Sequence, residues 1–250
     1  MKIIIDGIEC EAQSGEMLLQ IAKRNGIFIP TLCHSDALPG LGSCRLCIVE
    51  IEEKGHKRIV ASCLYPVRSE IVVYTHSEKI NFMRKNLLML LYARAPLDDT
   101  INKLRKEYGV ADDIRFSGDP DEHCILCGLC VKACEEMGSF AISTVMRGVT
   151  KKVSTPYDEP SAPCIGCASC AHVCPTDAIK VTEKNGIRTI WNKDFQLVKC
   201  ERCGKPFATE EQLEYNRNKL SEKELEYEYF CEGCKKVLIS GKLKEIYRDA

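Results

Sequence analysis

Cys124-Ile-Leu-Cys127-Gly-Leu-Cys130-Val-Lys-Ala-Cys134 sets four thiols at C-x2-C-x2-C-x3-C, and Cys164-Ile-Gly-Cys167-Ala-Ser-Cys170-Ala-His-Val-Cys174-Pro175 repeats the spacing 40 residues later. Outward from this repeat, two more groups of four flank it. Cys33, Cys44, Cys47 and Cys63 precede it, and Cys200, Cys203, Cys231 and Cys234 follow. Sixteen of the 17 cysteines are thereby used, with Cys10 left over as a buried strand cysteine. Four thiolates are the ligand complement of an iron–sulfur cluster or a structural zinc ion. Cysteine-rich disulfide scaffolds are usually short secreted chains. This chain has 250 residues and opens MKIIIDGIEC, with no apolar leader or small-residue cleavage site. The grouping reads as metal binding.

Hydrophobic residues make up 45% of the chain, enough for packed cores. A formal net charge of −1 argues against nucleic acid or anionic lipid as a partner. The longest apolar stretch, Leu87 to Ala93, falls far short of the roughly 20 residues that span a bilayer. No Gly-x-Gly-x-x-Gly follows a strand and no Walker motif appears. No Ser/His/Asp or paired-carboxylate arrangement is present either. The expectation is a cytoplasmic chain with no membrane span and no catalytic residues of its own.

In the N-terminal segment Ile3-Ile-Ile5, Asp6-Gly7 and Ile8 to Glu11 read as strand, tight turn and returning strand. Ser14 is the expected N-cap of a helix with Met17, Leu18, Ile21 and Ala22 on its apolar face, stopping at Gly26. Strands are expected at Ile48 to Glu52, Arg58 to Ser62 and Glu70 to Tyr74. Between them, Leu38-Pro-Gly-Leu-Gly-Ser-Cys44 is a glycine-bearing loop that can bring backbone N–H groups to sulfur. The pattern suggests a β-grasp ferredoxin domain over residues 1–76.

The first set reads C-x10-C-x2-C and then x15-C, unlike the plant-type C-x4-C-x2-C pattern. Thr31-Leu-Cys-His34, Gly42-Ser-Cys-Arg-Leu-Cys-Ile-Val-Glu50 and Ala61-Ser-Cys-Leu-Tyr-Pro-Val67 resemble the N-terminal [2Fe–2S] domain of the complex I large iron–sulfur subunit. They also resemble the small diaphorase subunit of NAD(P)-linked hydrogenases and formate dehydrogenases. The resemblance implies that Cys33, Cys44, Cys47 and Cys63 hold a [2Fe–2S] cluster. Those families commonly place a cluster held by one His and three Cys after the next helix. Here Leu97 to Gly118 contains neither residue, and residues 77–116 read as a helical linker. Its first helix, Ser77 to Tyr92, carries Ile80, Met83, Leu87, Leu88 and Leu91 on or near one face.

The central repeat resembles the bacterial two-cluster ferredoxin, in which the fourth cysteine of each run serves the other cluster. That implies one [4Fe–4S] cluster on Cys124, Cys127, Cys130 and Cys174, and another on Cys134, Cys164, Cys167 and Cys170, within residues 117–190. The succinate dehydrogenase iron–sulfur subunit, the competing comparison, fits neither the ten-residue gap nor two complete runs.

In residues 191–250, Cys200-Glu-Arg-Cys203 and Cys231-Glu-Gly-Cys234 are two C-x2-C knuckles with 27 residues between them. They suggest a zinc-ribbon-like module, with a rubredoxin-like single iron or a further cluster as alternatives. Glu210 to Tyr229 reads as a charged helical insertion. Every set already has four thiolates, so none of His34, His56, His76, His123 and His172 is needed as a ligand. Trp191, the only tryptophan, reads as packing rather than an electron conduit.

The fold class expected is α+β: [2Fe–2S] domain, helical linker, dicluster domain and zinc module. One [2Fe–2S], two [4Fe–4S] and one Zn2+ are the cofactors expected. The resemblance implies an electron-relay subunit that works with a flavoprotein NAD(P)-binding subunit and a hydrogenase or formate dehydrogenase catalytic subunit. Ferredoxin becomes a further partner if the complex bifurcates electrons. The alternative is a freestanding multi-cluster ferredoxin or a redox-sensing regulator.

Overall fold

Alternating isoleucines start the first sheet. Strand β1 (Lys2–Ile5) buries Ile3 and Ile5 while Ile4 faces solvent, the period-2 pattern of a half-covered strand. Asp6 and Gly7, both at positive φ, turn the chain into β2 (Ile8–Glu11), as a two-residue hairpin of the primed type requires. The computed structural model describes residues 1–111, 115–116, 118–221 and 225–248, the last seven of these by backbone alone. Parts of the expected linker, of the dicluster segment and of the C-terminal insertion and tail therefore lie outside the described residues.

Helix α1 (Leu18–Arg24) buries Leu18, Leu19, Ile21 and Ala22 against the sheet. Its N-cap is Met17, and Ser14 makes no capping bond. The reason lies in tertiary pairing: Gly15 N–H donates to Val67 O, Leu18 N–H to Tyr65 O, and Met17 bridges Pro66. That pairing holds Met17 extended, after a turn at Gly15, and delays the helix.

Strands β3 (Ile48–Glu53) and β4 (His56–Ala61) form a hairpin over Lys54-Gly55, and β5 (Val72–Tyr74) is shorter than expected. β5 lies between β1, to which it is parallel, and β3, to which it is antiparallel, giving the order β2-β1-β5-β3-β4. This is the strand pair, helix and inserted strand anticipated for a β-grasp.

Helix α2 (Glu78–Arg94) is capped by Ser77, and α3 (Asp99–Glu107) by Asp98, whose carboxylate accepts from Ile101 N–H at 2.8 Å. The face that α2 buries is Ile80, Arg84 and Leu88. An apolar cluster including Leu32, Cys44, Leu88, Ile101, Cys127 and Leu129 welds these helices to both neighbouring segments. Each such buried aliphatic side chain contributes about 1.5–3 kcal/mol.

Beyond the linker come α4 (Leu129–Glu136), a small hairpin of β6 (Ser143–Val145) and β7 (Lys152–Ser154), and α5 (Ser169–His172). A second sheet then pairs β8 (Thr182–Lys184), β9 (Ile187–Ile190), β10 (Lys193–Lys199) and β11 (Pro206–Thr209) in the order β11-β10-β9-β8. This sheet runs from the dicluster segment into the C-terminal cysteines without a break. Helices α6 (Glu210–Arg217) and α7 (Glu232–Arg248) complete the described chain. Among the described residues no helix is long and apolar enough to cross a membrane.

Candidate metal centres

The first four cysteines converge where strands end. Cys44 and Cys47 lie in the turn before β3, Cys63 in the 3-10 turn after β4, and Cys33 in the loop after α1. All four are buried. Ser62 N–H donates to Cys47 O, extending the β3–β4 pairing to the cysteines themselves. Cys44 N–H donates to Cys33 Sγ at 3.2 Å, and the Cys47 and Cys63 sulfurs lie 3.3 Å apart. The hydrogen bond from Cys63 pulls the Cys47 thiol down to about 6, and that from Cys33 does the same for Cys44. Cys33 and Cys63 are pushed up by the same bonds and by burial. Gly42, at φ 63°, closes the loop against Leu64, where a Cβ would collide with the leucine side chain.

What holds this turn is a residue that the cysteine spacing does not announce. Arg84, fully buried, donates from Nε to Leu46 O (2.9 Å), from Nη2 to Ile48 O (2.7 Å) and from Nη1 to Thr75 O (2.9 Å). It thus pins the carbonyls on both sides of Cys47. At the far end of the same helix Arg94 donates from Nε to Cys124 O at 3.1 Å and pairs with Glu122. One signal was legible: Arg84 falls four residues after Ile80 and four before Leu88, on their stripe.

The central repeat is visible in the backbone. Leu126 and Gly128 are left-handed before α4, and Gly166 and Ala168 are left-handed before α5. Such turns aim N–H groups inward. Leu126 N–H donates to Cys124 Sγ (3.4 Å), Ala141 N–H to Cys134 Sγ (3.2 Å) and Ala178 N–H to Cys174 Sγ (3.3 Å). Two cavities result. Cys124, Cys127, Cys130 and Cys174 line the first, and Cys134, Cys164, Cys167 and Cys170 line the second. Each cavity takes its fourth sulfur from the opposite run. Burial pushes the Cys127 and Cys170 thiols up to about 11 and Cys130 to about 12. Without iron these thiols keep their protons at neutral pH, and a bound cation must displace them. Buried and half-buried sulfurs, three of them accepting a backbone N–H, suit a cluster that spreads negative charge over sulfur.

The sets stand in order. Cys44 lies close enough to Cys127 for its charge to raise that thiol, and Cys170 acts likewise on Cys130. The second cavity leans on the C-terminal sheet. Thr209 Oγ1 donates to Ile165 O, Lys193 Nζ to Cys164 O (2.8 Å), and the Phe195 ring lies against Gly166.

The last four sulfurs form a tighter group, all within 4.8 Å of one another, with Cys203 and Cys231 3.7 Å apart. Ligands at 2.3 Å around one tetrahedral ion are separated by about 3.8 Å. This set is therefore sized for a single ion, whereas thiolates around a four-iron core have iron and sulfide between them. Cys200 and Cys203 sit between β10 and β11, while Cys231 and Cys234 flank the start of α7. Burial opposes ionisation of Cys200, but the backbone N–H groups of Cys231, Cys203 and Arg202 outweigh it and bring the thiol to about 6.

Comparison with known proteins agrees with this layout. Residues 1–78 match the 2Fe-2S iron-sulfur cluster binding domain, and residues 120–181 match the 4Fe-4S dicluster domain. The chain is 31% identical over 230 residues to an NADH-quinone oxidoreductase subunit of Rhizobium meliloti (strain 1021), covering 82% of this chain and 27% of the relative. It is 29% identical over 211 residues to the NADP-reducing hydrogenase subunit HndD of Solidesulfovibrio fructosivorans, covering 72% and 36%. The chain thus spans about a quarter to a third of these relatives' length. A chain of an NAD+-reducing [NiFe]-hydrogenase, solved in the H2-reduced state, superposes with a TM-score of 0.59 at 27% identity, over 71% of this chain and 85% of that one. The chain therefore carries a [2Fe–2S] cluster-binding domain followed by a [4Fe–4S] dicluster domain, and is a homologue of the iron–sulfur subunits of NAD(P)-linked oxidoreductases.

Proposed function

We propose that this chain relays electrons between a flavoprotein subunit that handles NAD(P) and a separate catalytic subunit, a hydrogenase or formate dehydrogenase. The observation that carries this is the order of the cysteine sets within one packed chain: Cys44 and Cys127 share one buried cluster, and Cys130 and Cys170 share the next. In this reading Cys33, Cys44, Cys47 and Cys63 hold a [2Fe–2S] cluster. One [4Fe–4S] cluster sits on Cys124, Cys127, Cys130 and Cys174, the other on Cys134, Cys164, Cys167 and Cys170. When bound, such clusters take up and release single electrons. The protein's own part is to hold the sulfurs, to keep water out with Leu32, Leu41 and Ile125, and to donate N–H groups to sulfur.

Cys200, Cys203, Cys231 and Cys234 are assigned one zinc ion, which keeps its charge while the clusters change theirs. The zinc would tie the β10–β11 knuckle to α7 and so fix the sheet behind the second cavity. The assignments divide the chain into a [2Fe–2S] domain (1–76), a linker (77–116), a dicluster segment (117–190) and a zinc-ribbon-like module (191–250), the last two sharing a sheet. Electron bifurcation with ferredoxin as a further partner is compatible with the same wiring.

Anaerobic purification of the native complex tests this. The expected result is a stable assembly with a flavoprotein, about ten cluster irons and one zinc per chain, and EPR signals from a two-iron and two four-iron centres. A monomer that exchanges electrons with several unrelated partners refutes the subunit reading. About fourteen irons without zinc refutes the C-terminal assignment.

A further inference from the structure

Trp191 and Asn192 are the two central residues of the β9–β10 hairpin, at φ 52° and 57° between the paired Ile190 and Lys193. Primed turns favour Asn-Gly or Gly-Gly because both centres need positive φ, and a bulky aromatic residue there is an outlier. A tryptophan placed against its backbone preference calls for a reason in its side chain. The indole Nε1–H donates to Cys170 Sγ at 3.5 Å. Its ring borders both dicluster cavities at once and packs with Ile190, Phe195, Cys130 and Cys170.

The contact breaks the symmetry of the repeat. Cys124, Cys134 and Cys174 receive backbone N–H groups, whereas Cys170 receives a side-chain donor from outside both runs. An indole can donate but never accept. A donor at a cluster thiolate favours the reduced form, because reduction adds negative charge to the sulfurs.

We propose that Trp191 is a positioning residue that raises the redox potential of the cluster on Cys134, Cys164, Cys167 and Cys170, and so sets the two four-iron centres apart. This rests on the cluster assignment above. The full chain, purified anaerobically, is to be titrated redox-wise with EPR readout and assayed for iron. Trp191→Phe keeps the ring and removes the donor. It should retain all the iron and lower one four-iron potential, leaving roughly 2- to 10-fold less of that centre reduced at a fixed poise. Trp191→His restores a ring N–H and should bring the potential part of the way back. Because Trp191 is the only tryptophan, growth on a fluorinated tryptophan alters this N–H alone without changing the turn. Its more acidic N–H should raise the same potential, which keeps the test open if Trp191→Phe misfolds. Unshifted potentials with full iron overturn the proposal, as do equal shifts in the Phe and His variants. A wild-type chain that never holds two four-iron centres overturns the cluster assignment itself, a result read before any variant is made.

Discussion

The two runs of the cysteine repeat share their spacing and their left-handed turns, and differ in what leans on them. The Cys124 run is backed by the N-terminal half. Leu41 lies against Gly128, Arg94 holds the Cys124 carbonyl, and Cys44 shares a buried cluster with Cys127. The Cys164 run is backed by the C-terminal sheet, through Lys193, Phe195, Thr209 and Trp191. The repeat thus specifies ligand geometry, while unrelated neighbours set the local energetics. Two centres alike in sequence can then differ in potential and lability.

The most damaging way to break this comparison is to strip the metal proposed for the C-terminal cysteines. Structural zinc sites supply on the order of 10 kcal/mol of folding free energy in isolated fingers. Chelation, or Cys200→Ser, should loosen the sheet and release about four irons from the Cys164 side while the other centres persist. Iron and zinc per chain, followed with EPR, check this, and loss of the proposed zinc with all iron retained would contradict it.

Gly166→Ala comes next. It combines the left-handed cost of a Cβ with a clash against Phe195, about 3 kcal/mol together. In the other run the position matching Gly166 is Leu126, which already carries a side chain at φ 55°; Gly128→Ala, two residues on, meets only Leu41 at 3.3 Å and should cost about 1 kcal/mol. Ala168 already occupies the position matching Gly128 at φ 61°, so the turn accepts a Cβ there. Denaturant unfolding under anaerobic conditions should rank the two variants in that order. Arg94→Ala lies between them at about 2 kcal/mol, since it frees the Cys124 carbonyl and leaves Glu122 without its cation. Iron loss in that variant should fall on the Cys124 side.

The smallest effect is one of pH on the metal-free chain. Thiols of the unfolded chain ionise near about 8.5, whereas burial holds Cys127 and Cys170 at about 11 and Cys130 at about 12. Between those values the unfolded state has released protons that the folded state still holds. Stability contributed by these thiols is therefore full below about pH 8.5 and falls as the pH rises toward 11. Denaturation midpoints measured from about pH 8.5 to about pH 10 should decline, and the iron-loaded chain should not show the same decline.

Much of this was readable from residues alone. Ile3 and Ile5 alternate with Ile4, Asp6-Gly7 and Lys54-Gly55 demand hairpins, and the cysteine spacing names the sets. Local chemistry decides all of these. Ser14 failed as a cap because Met17 pairs with Pro66, a partner 49 residues away that no local window contains. Arg84 lay on a buried stripe, yet a charge in a helix reads as solvated until the carbonyls of Leu46, Ile48 and Thr75 are seen around it. Trp191 read as packing, and the indole does pack. Its bond to Cys170 depends on a hairpin folding back across 21 residues.

By itself the sequence determined how many sulfurs there are, how they are grouped and which local turns present them, because ligand spacing and positive-φ turns are short-range properties. Only the tertiary structure decided which groups adjoin, which sulfur receives the indole N–H, and that the last four thiols close around a space for one ion. Those facts come from apolar burial bringing distant segments together. A hydrophobic stripe records that burial will happen and leaves the partner unstated.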